Sequence, residues 1–107
     1  MTVTKLYVTE GIRHQSKNES ITYKITTTNW VSSPTNISAT AVIKDTGLDI
    51  TETVFPTNSP SADGDVISLS PLKNLWSGNE YIISVLFDGD GNTYECFFEI
   101  DCVDYRG

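Results

Sequence analysis

Residues Leu75-Trp76-Ser77-Gly78-Asn79-Glu80-Tyr81 lead into an apolar run, Ile82 to Phe87. Asp88-Gly89-Asp90-Gly91-Asn92 follows, and then a second run from Thr93 to Cys102. The order reads as a corner, a strand, a tight turn and a strand. A Leu, a Gly and then a Tyr opening an apolar strand predict a tyrosine corner, in which the ring packs inward and its hydroxyl ties back to nearby backbone. An Asp-Gly/Gly-Asn turn between two apolar runs is a strong local hairpin signal. The alternation sets Tyr81, Ile83, Val85 and Phe87 on one face of the first strand, and Cys96, Phe98, Ile100 and Cys102 on one face of the second.

Working back toward the N-terminus, turn-rich clusters recur at short intervals, as in an all-β sandwich. A first strand is expected over Lys5 to Thr9, followed by an irregular, polar and basic connection from Gly11 to Glu19. Ser20 to Thr28 alternates Ile21, Tyr23, Ile25 and Thr27 with Thr22, Lys24, Thr26 and Thr28, a half-buried strand. Ile37 to Lys44 predicts a third strand with Ile37, Ala39, Ala41 and Ile43 inward. Asp49 to Phe55 reads as a short strand, Pro56 to Gly64 as the longest polar loop, and Asp65 to Ser70 as a strand before the corner. No stretch has convincing helical periodicity, and the Thr and Ile crowding opposes one. The expected fold is all-β, a single immunoglobulin-like antiparallel β-sandwich of about seven strands spanning residues 1–107.

A chain of 107 residues fits one domain and can bury a core without covalent staples. Its net charge of −7 and pI near 4.4 argue against nucleic acid and against anionic membranes, because Lys and Arg are few and scattered. The acidity itself favours solubility and repulsion between copies. Cys96 and Cys102 share one strand face, about 20 Å apart along an unbroken strand. A disulfide needs Cα atoms within about 7 Å. They are therefore expected to be small buried apolar residues, and the chain to be made in a reducing compartment. No signal peptide or run of transmembrane length is read in the sequence.

Chemistry-bearing patterns are sparse. Asp88, Asp90 and Asn92 resemble the start of a calcium loop, with Glu99 at its twelfth position, yet Thr93 holds the position that requires glycine and both flanks are strands. His14, the only histidine, makes neither a metal site nor a triad alone. Glu95, Glu99 and Asp101 fall on an outward strand face, and neither a G-x-S-x-G elbow nor a phosphate loop is present. No catalytic, cofactor-binding or metal residue is assigned, and no enzymatic activity is expected. Trp30 and Trp76 either plug the core or anchor a partner or a sugar, with Trp30 the better core candidate.

The segments Ile37-Ser38-Ala39-Thr40-Ala41-Val42, Asp49-Ile50-Thr51-Glu52-Thr53-Val54 and Ser59 to Ile67, together with Leu72 to Gly78, Tyr81 and the final hairpin, carry a family resemblance. Their order is similar to that in small virion-associated Ig-like proteins of tailed bacteriophages and prophages, of the fiber–tail adaptor or tail accessory type. The resemblance covers most of the chain after residue 20. It implies a structural protein that docks to other virion proteins, is a homo-oligomer in the particle, and is assembled in the bacterial host cytoplasm. A capsid-decoration protein and a carbohydrate-binding or adhesion module are the alternatives. Candidate contact residues are Lys5, Leu6 and Tyr7 on an expected edge strand, whose unpaired backbone suits strand addition. Trp30, Phe55 and Trp76 join them, from the loops Trp30 to Thr35 and Phe55 to Gly64 and from the corner.

Overall fold

A computed structural model describes residues 13–28 and 30–102 in full and the backbone of 3–7. Eight strands run in the order β1 (Val3–Tyr7), β2 (Arg13–Gln15), β3 (Lys24–Thr26), β4 (Thr35–Ile43), β5 (Ser61–Asp63), β6 (Val66–Ser68), β7 (Glu80–Gly89) and β8 (Asn92–Cys102). One short helix, α1 (Thr51–Val54), lies between β4 and β5.

Two sheets form an immunoglobulin-like sandwich. The larger has the order β1-β8-β7-β4, and the smaller is β3-β6-β5. β2 follows β1 along the same edge of β8, so the eight segments fill seven strand positions. The β3-β6-β5 and β8-β7-β4 groupings match the B-E-D and G-F-C sets of immunoglobulin domains. The first strand departs from that scheme: both of its halves join β8, and both run parallel to it. Every other pairing is antiparallel, as expected.

The last hairpin forms where the sequence placed it. Gly89 and Asn92 face each other across a two-residue loop. Asp90 and Gly91 both have positive φ, +52° and +79°, as a type I′ turn requires, and its twist matches that of the flanking strands. The β5–β6 turn is built from Gly64, at φ +60°, and Asp65. Along β7, Tyr81, Ile83, Val85 and Phe87 are buried, and along β8 so are Cys96, Phe98, Ile100 and Cys102. Both cysteines are free. The core joins these faces to Ile25, Ile67, Leu69, Ala39, Ala41 and Ile43.

Four expectations are corrected. The segment Asp49 to Phe55 is not a strand: only Asp49 bridges Val42, and Thr51–Val54 turns into α1. The Asp49 carboxylate accepts the N–H and O–H of Thr51, which starts the helical turn. Ile50 and Val54, four residues apart, then bury on one side. The loop Pro56 to Gly64 contains β5, and the connection Gly11 to Glu19 contains β2. The second strand is shorter than Ser20 to Thr28: β3 keeps three residues, with a separate bridge from Ile21 to Leu72. It ends because Thr27 O accepts the amides of Trp30 and Val31 and so starts a turn. The first strand occupies Val3–Tyr7, and the expected Val8 and Thr9 lie outside the described residues.

Candidate docking surfaces

The corner forms as the sequence pattern predicts. Tyr81, 1% exposed, accepts the backbone N–H of Trp76 on its hydroxyl at 2.7 Å. The same hydroxyl lies 3.4 Å from the Trp76 carbonyl. Burial pushes the Tyr81 hydroxyl pKa up, against the lowering effect of the Trp76 hydrogen bond. The corner is closed again behind Trp76, where Gly78 N–H donates to Cys102 O and Cys102 N–H donates to Asn79 O, both at 3.0 Å. A backbone tied at both sides thus carries an indole that is 50% exposed. The bulky residues about Trp76 are inward: Leu75 and Leu72 are buried.

Leu48 is the other large apolar side chain that is exposed among the described residues, at 55%. Its carbonyl accepts Ile43 N–H, Ile43 pairs with Tyr81, and Lys44 N–H donates to Glu80 O. Leu48 and the Trp76 corner therefore flank one end of the large sheet, where β4 finishes and β7 begins. Leu48 escaped the sequence reading. The available signal was a lone Leu in the otherwise polar turn Asp45-Thr46-Gly47-Leu48-Asp49.

The other sequence candidates divide. Trp30 is partly buried and stacks on Phe87, with ring centroids 6.2 Å apart. Phe87 in turn stacks on Tyr94 at 5.7 Å. Trp30 thus closes the core at the opposite end. Phe55 is 2% exposed and belongs to the core, so its ring offers no contact surface; its loop presents the exposed Pro56 to Ser59 instead. Lys5, Leu6 and Tyr7 lie on β1, paired with Glu95, Cys96 and Phe97 of β8, and β1 is the outer strand of its sheet. The edge position expected for the first strand is therefore where the backbone lies.

The opposite edge of that sheet is occupied by residues of α1 and the segments that flank it. Thr51 Oγ1 accepts Ala41 N–H at 2.9 Å, Ile50 N–H donates to Ala41 O, and the Asn58 amide donates to Ala39 O at 3.0 Å. These contacts cap the outward backbone groups of β4 and disfavour pairing there. A third lock spans the open side of the sandwich. Gln15, 1% exposed, donates to Glu19 O and Leu72 O and accepts the Tyr23 hydroxyl at 2.8 Å. It fixes β2 to the neighbouring sheet.

The end that holds Trp30 gathers three loops. Thr27 Oγ1 donates to Val31 O, Ser33 N–H donates to Asp65 Oδ1, and the Asn36 amide donates to Asp88 Oδ2. Asp63, Asp65, Asp88 and Asp90 sit on these tips, and the described residues of loops 27–36, 63–66 and 88–93 include no Lys or Arg. Asp88 is held by Asn36 and Thr93, which lower its pKa. The calcium-loop residues do not converge: Glu99 lies far along β8, paired with Lys44 at 3.0 Å. His14 lies 3.6 Å from Asp101, its cross-strand partner, on the exposed face of the sheet. Neither a protein-family model nor a characterised protein of similar sequence matches this chain.

Proposed function

We propose that this chain is a non-enzymatic structural module of a tailed bacteriophage particle, docking to other virion proteins at a tail or fiber position and present there in symmetric copies. The resemblance to virion-associated Ig-like proteins supports the setting. The observation that carries the docking reading is Trp76, half exposed on a corner fixed by Tyr81 and by the Gly78–Cys102 and Asn79–Cys102 hydrogen bonds. A rigid aromatic anchor loses little conformational entropy when a partner covers it, which is why Trp dominates interface energetics. Leu48, also exposed, lies at the same end of the large sheet, where β4 finishes.

The test is incorporation of full-length wild-type and Trp76→Ala chains into particles. Wild-type incorporation with loss of the Trp76→Ala chain is expected, while a monomeric Trp76→Ala protein keeps the wild-type circular dichroism spectrum. Equal incorporation of the two chains overturns docking at the corner.

The same indole favours one second reading, carbohydrate stacking. In a Trp30→Phe background Trp76 is the sole indole, and its emission shifts on glycan addition if the surface is a lectin site. A flat titration with an intact docking response excludes that reading.

A further inference from the structure

Three aspartates precede a glycine: Asp63-Gly64, Asp88-Gly89 and Asp90-Gly91. An aspartate followed by glycine is open to attack on its side-chain carboxyl by the next backbone nitrogen, since no β-carbon shields that nitrogen. The three pairs have unequal freedom in this fold.

Asp88 is held most firmly. Its carboxylate takes the Asn36 amide at 2.9 Å and the Thr93 hydroxyl at 2.7 Å, and its backbone pairs with Thr93. Gly89 closes the ladder opposite Asn92 and lies so near Val31 that a β-carbon would stand 2.0 Å from Val31 Cγ2. Asp63 is exposed at the carboxylate, but its backbone pairs with Val66 in the β5–β6 ladder. Asp90 has neither restraint. It is exposed at the tip of the β7–β8 hairpin, outside the ladder, and nothing lies within 4 Å of the position a Gly91 β-carbon would take.

We propose that Asp90 is a site of spontaneous isoaspartate formation, and the first of the three to react. The Gly91 nitrogen gives its proton to solvent and bonds to the Asp90 side-chain carbonyl carbon. A side-chain oxygen leaves as water, closing a succinimide. Water then adds to the former main-chain carbonyl of Asp90, and that carbon's bond to the Gly91 nitrogen breaks. The nitrogen stays on the side-chain carbon, so the backbone runs through Cβ and the α-carboxylate becomes the side group. One water is lost and one gained, and no oxidant or other reactant enters. The added backbone methylene does not fit a two-residue type I′ loop. The tip between Gly89 and Asn92 therefore reorganises, and the acidic loop end changes shape while the ladder below Asp88 and Thr93 persists.

The experiment is prolonged incubation of the full-length folded protein in warm, mildly acidic buffer, with a parallel sample in urea. Peptide mapping with electron-transfer fragmentation distinguishes isoaspartate from aspartate at each position. Each hydrogen bond that must open slows reaction by about fivefold, so the two on the Asp88 carboxylate predict conversion at Asp90 about 25-fold faster than at Asp88 in the folded protein. Asp63 falls between them, and in urea the three rates converge. Asp90→Glu, which would need a larger ring, removes the product at position 90 and leaves the other two rates unchanged. Faster conversion at Asp63 or Asp88 in the folded protein overturns the proposal. So does an intact Asp90 in folded protein while the urea sample converts at all three positions.

Discussion

Replacing Tyr81 by Phe removes one oxygen from the corner and leaves the ring. The hydroxyl accepts Trp76 N–H at 2.7 Å, so in Tyr81→Phe that amide loses its partner beside a ring that is 1% exposed. A lost hydrogen bond with a partly buried donor left unpaired costs about 1.5 kcal/mol, near the upper side of the usual net value. That is roughly a tenfold shift in the folding equilibrium. For a domain of this length it lowers Tm by roughly 6–10 °C. The assay is urea unfolding followed by Trp emission, with the midpoint falling and the m-value unchanged. Tyr94→Phe is the matched control. Its hydroxyl accepts the Asn92 amide at a long 3.4 Å, and its removal is expected to cost under about 0.5 kcal/mol. A Tyr81→Phe loss no larger than that of Tyr94→Phe would refute the corner as a stabilising device.

The other predictions concern locks elsewhere in the sandwich. Gln15→Ala removes the amide's bonds to the Leu72 and Glu19 carbonyls, of which Leu72 O keeps the Ile21 N–H, and takes away the acceptor of the Tyr23 hydroxyl; it is expected to lower stability by about 1–3 kcal/mol in the same urea assay. Gly89→Ala drives a methyl into Val31 and should cost about 1–3 kcal/mol, measured by thermal unfolding. Gly91→Asn, at φ +79° with open space around it, should stay within about 0.5 kcal/mol because Asn accepts the left-handed region. At alkaline pH the sign follows from burial. Tyr23 and Tyr81 are raised above 10.0, and burial pushes the Cys96 thiol from 9.0 to about 12. The folded state then keeps protons that the unfolded chain has released, so stability falls as pH rises. Its contribution is whole below the unfolded values and is lost as pH climbs from about 9 toward 12. Urea midpoints across that range should decline, and Cys96→Ala should make the decline shallower.

What the sequence disclosed was local. The Tyr81 corner and the Asp90-Gly91 turn depend on a few neighbouring residues with special backbone or hydrogen-bonding needs, and both could be read directly. The alternation in Tyr81 to Phe87 and Cys96 to Cys102 assigned inner faces because one residue of slip would turn every side chain outward. The segment Asp49 to Phe55 misled because Ile50 and Val54 share a face with either a strand period or a helical one. The Asp49–Thr51 hydrogen bonds decide between them, and they are side-chain geometry rather than pattern. The parallel seating of β1 and β2 on β8 joins residues about a whole chain apart, which no local period encodes. Gln15 reads as one polar residue in a polar connection, and its burial becomes evident only once Leu72 and Tyr23 are brought beside it. Among the contact candidates, Trp76 is exposed and Phe55 is not. Both are aromatic residues beside loops, and only the packing of α1 and the corner separates them.

The most direct test of a structural role in a phage particle is the composition of the particle. Virions purified from the source and split into heads and tails should contain this chain by mass spectrometry, in the tail fraction and at a fixed ratio to its neighbours. Recovery with heads would contradict the tail placement and favour capsid decoration. Absence from every particle fraction would contradict the virion role altogether.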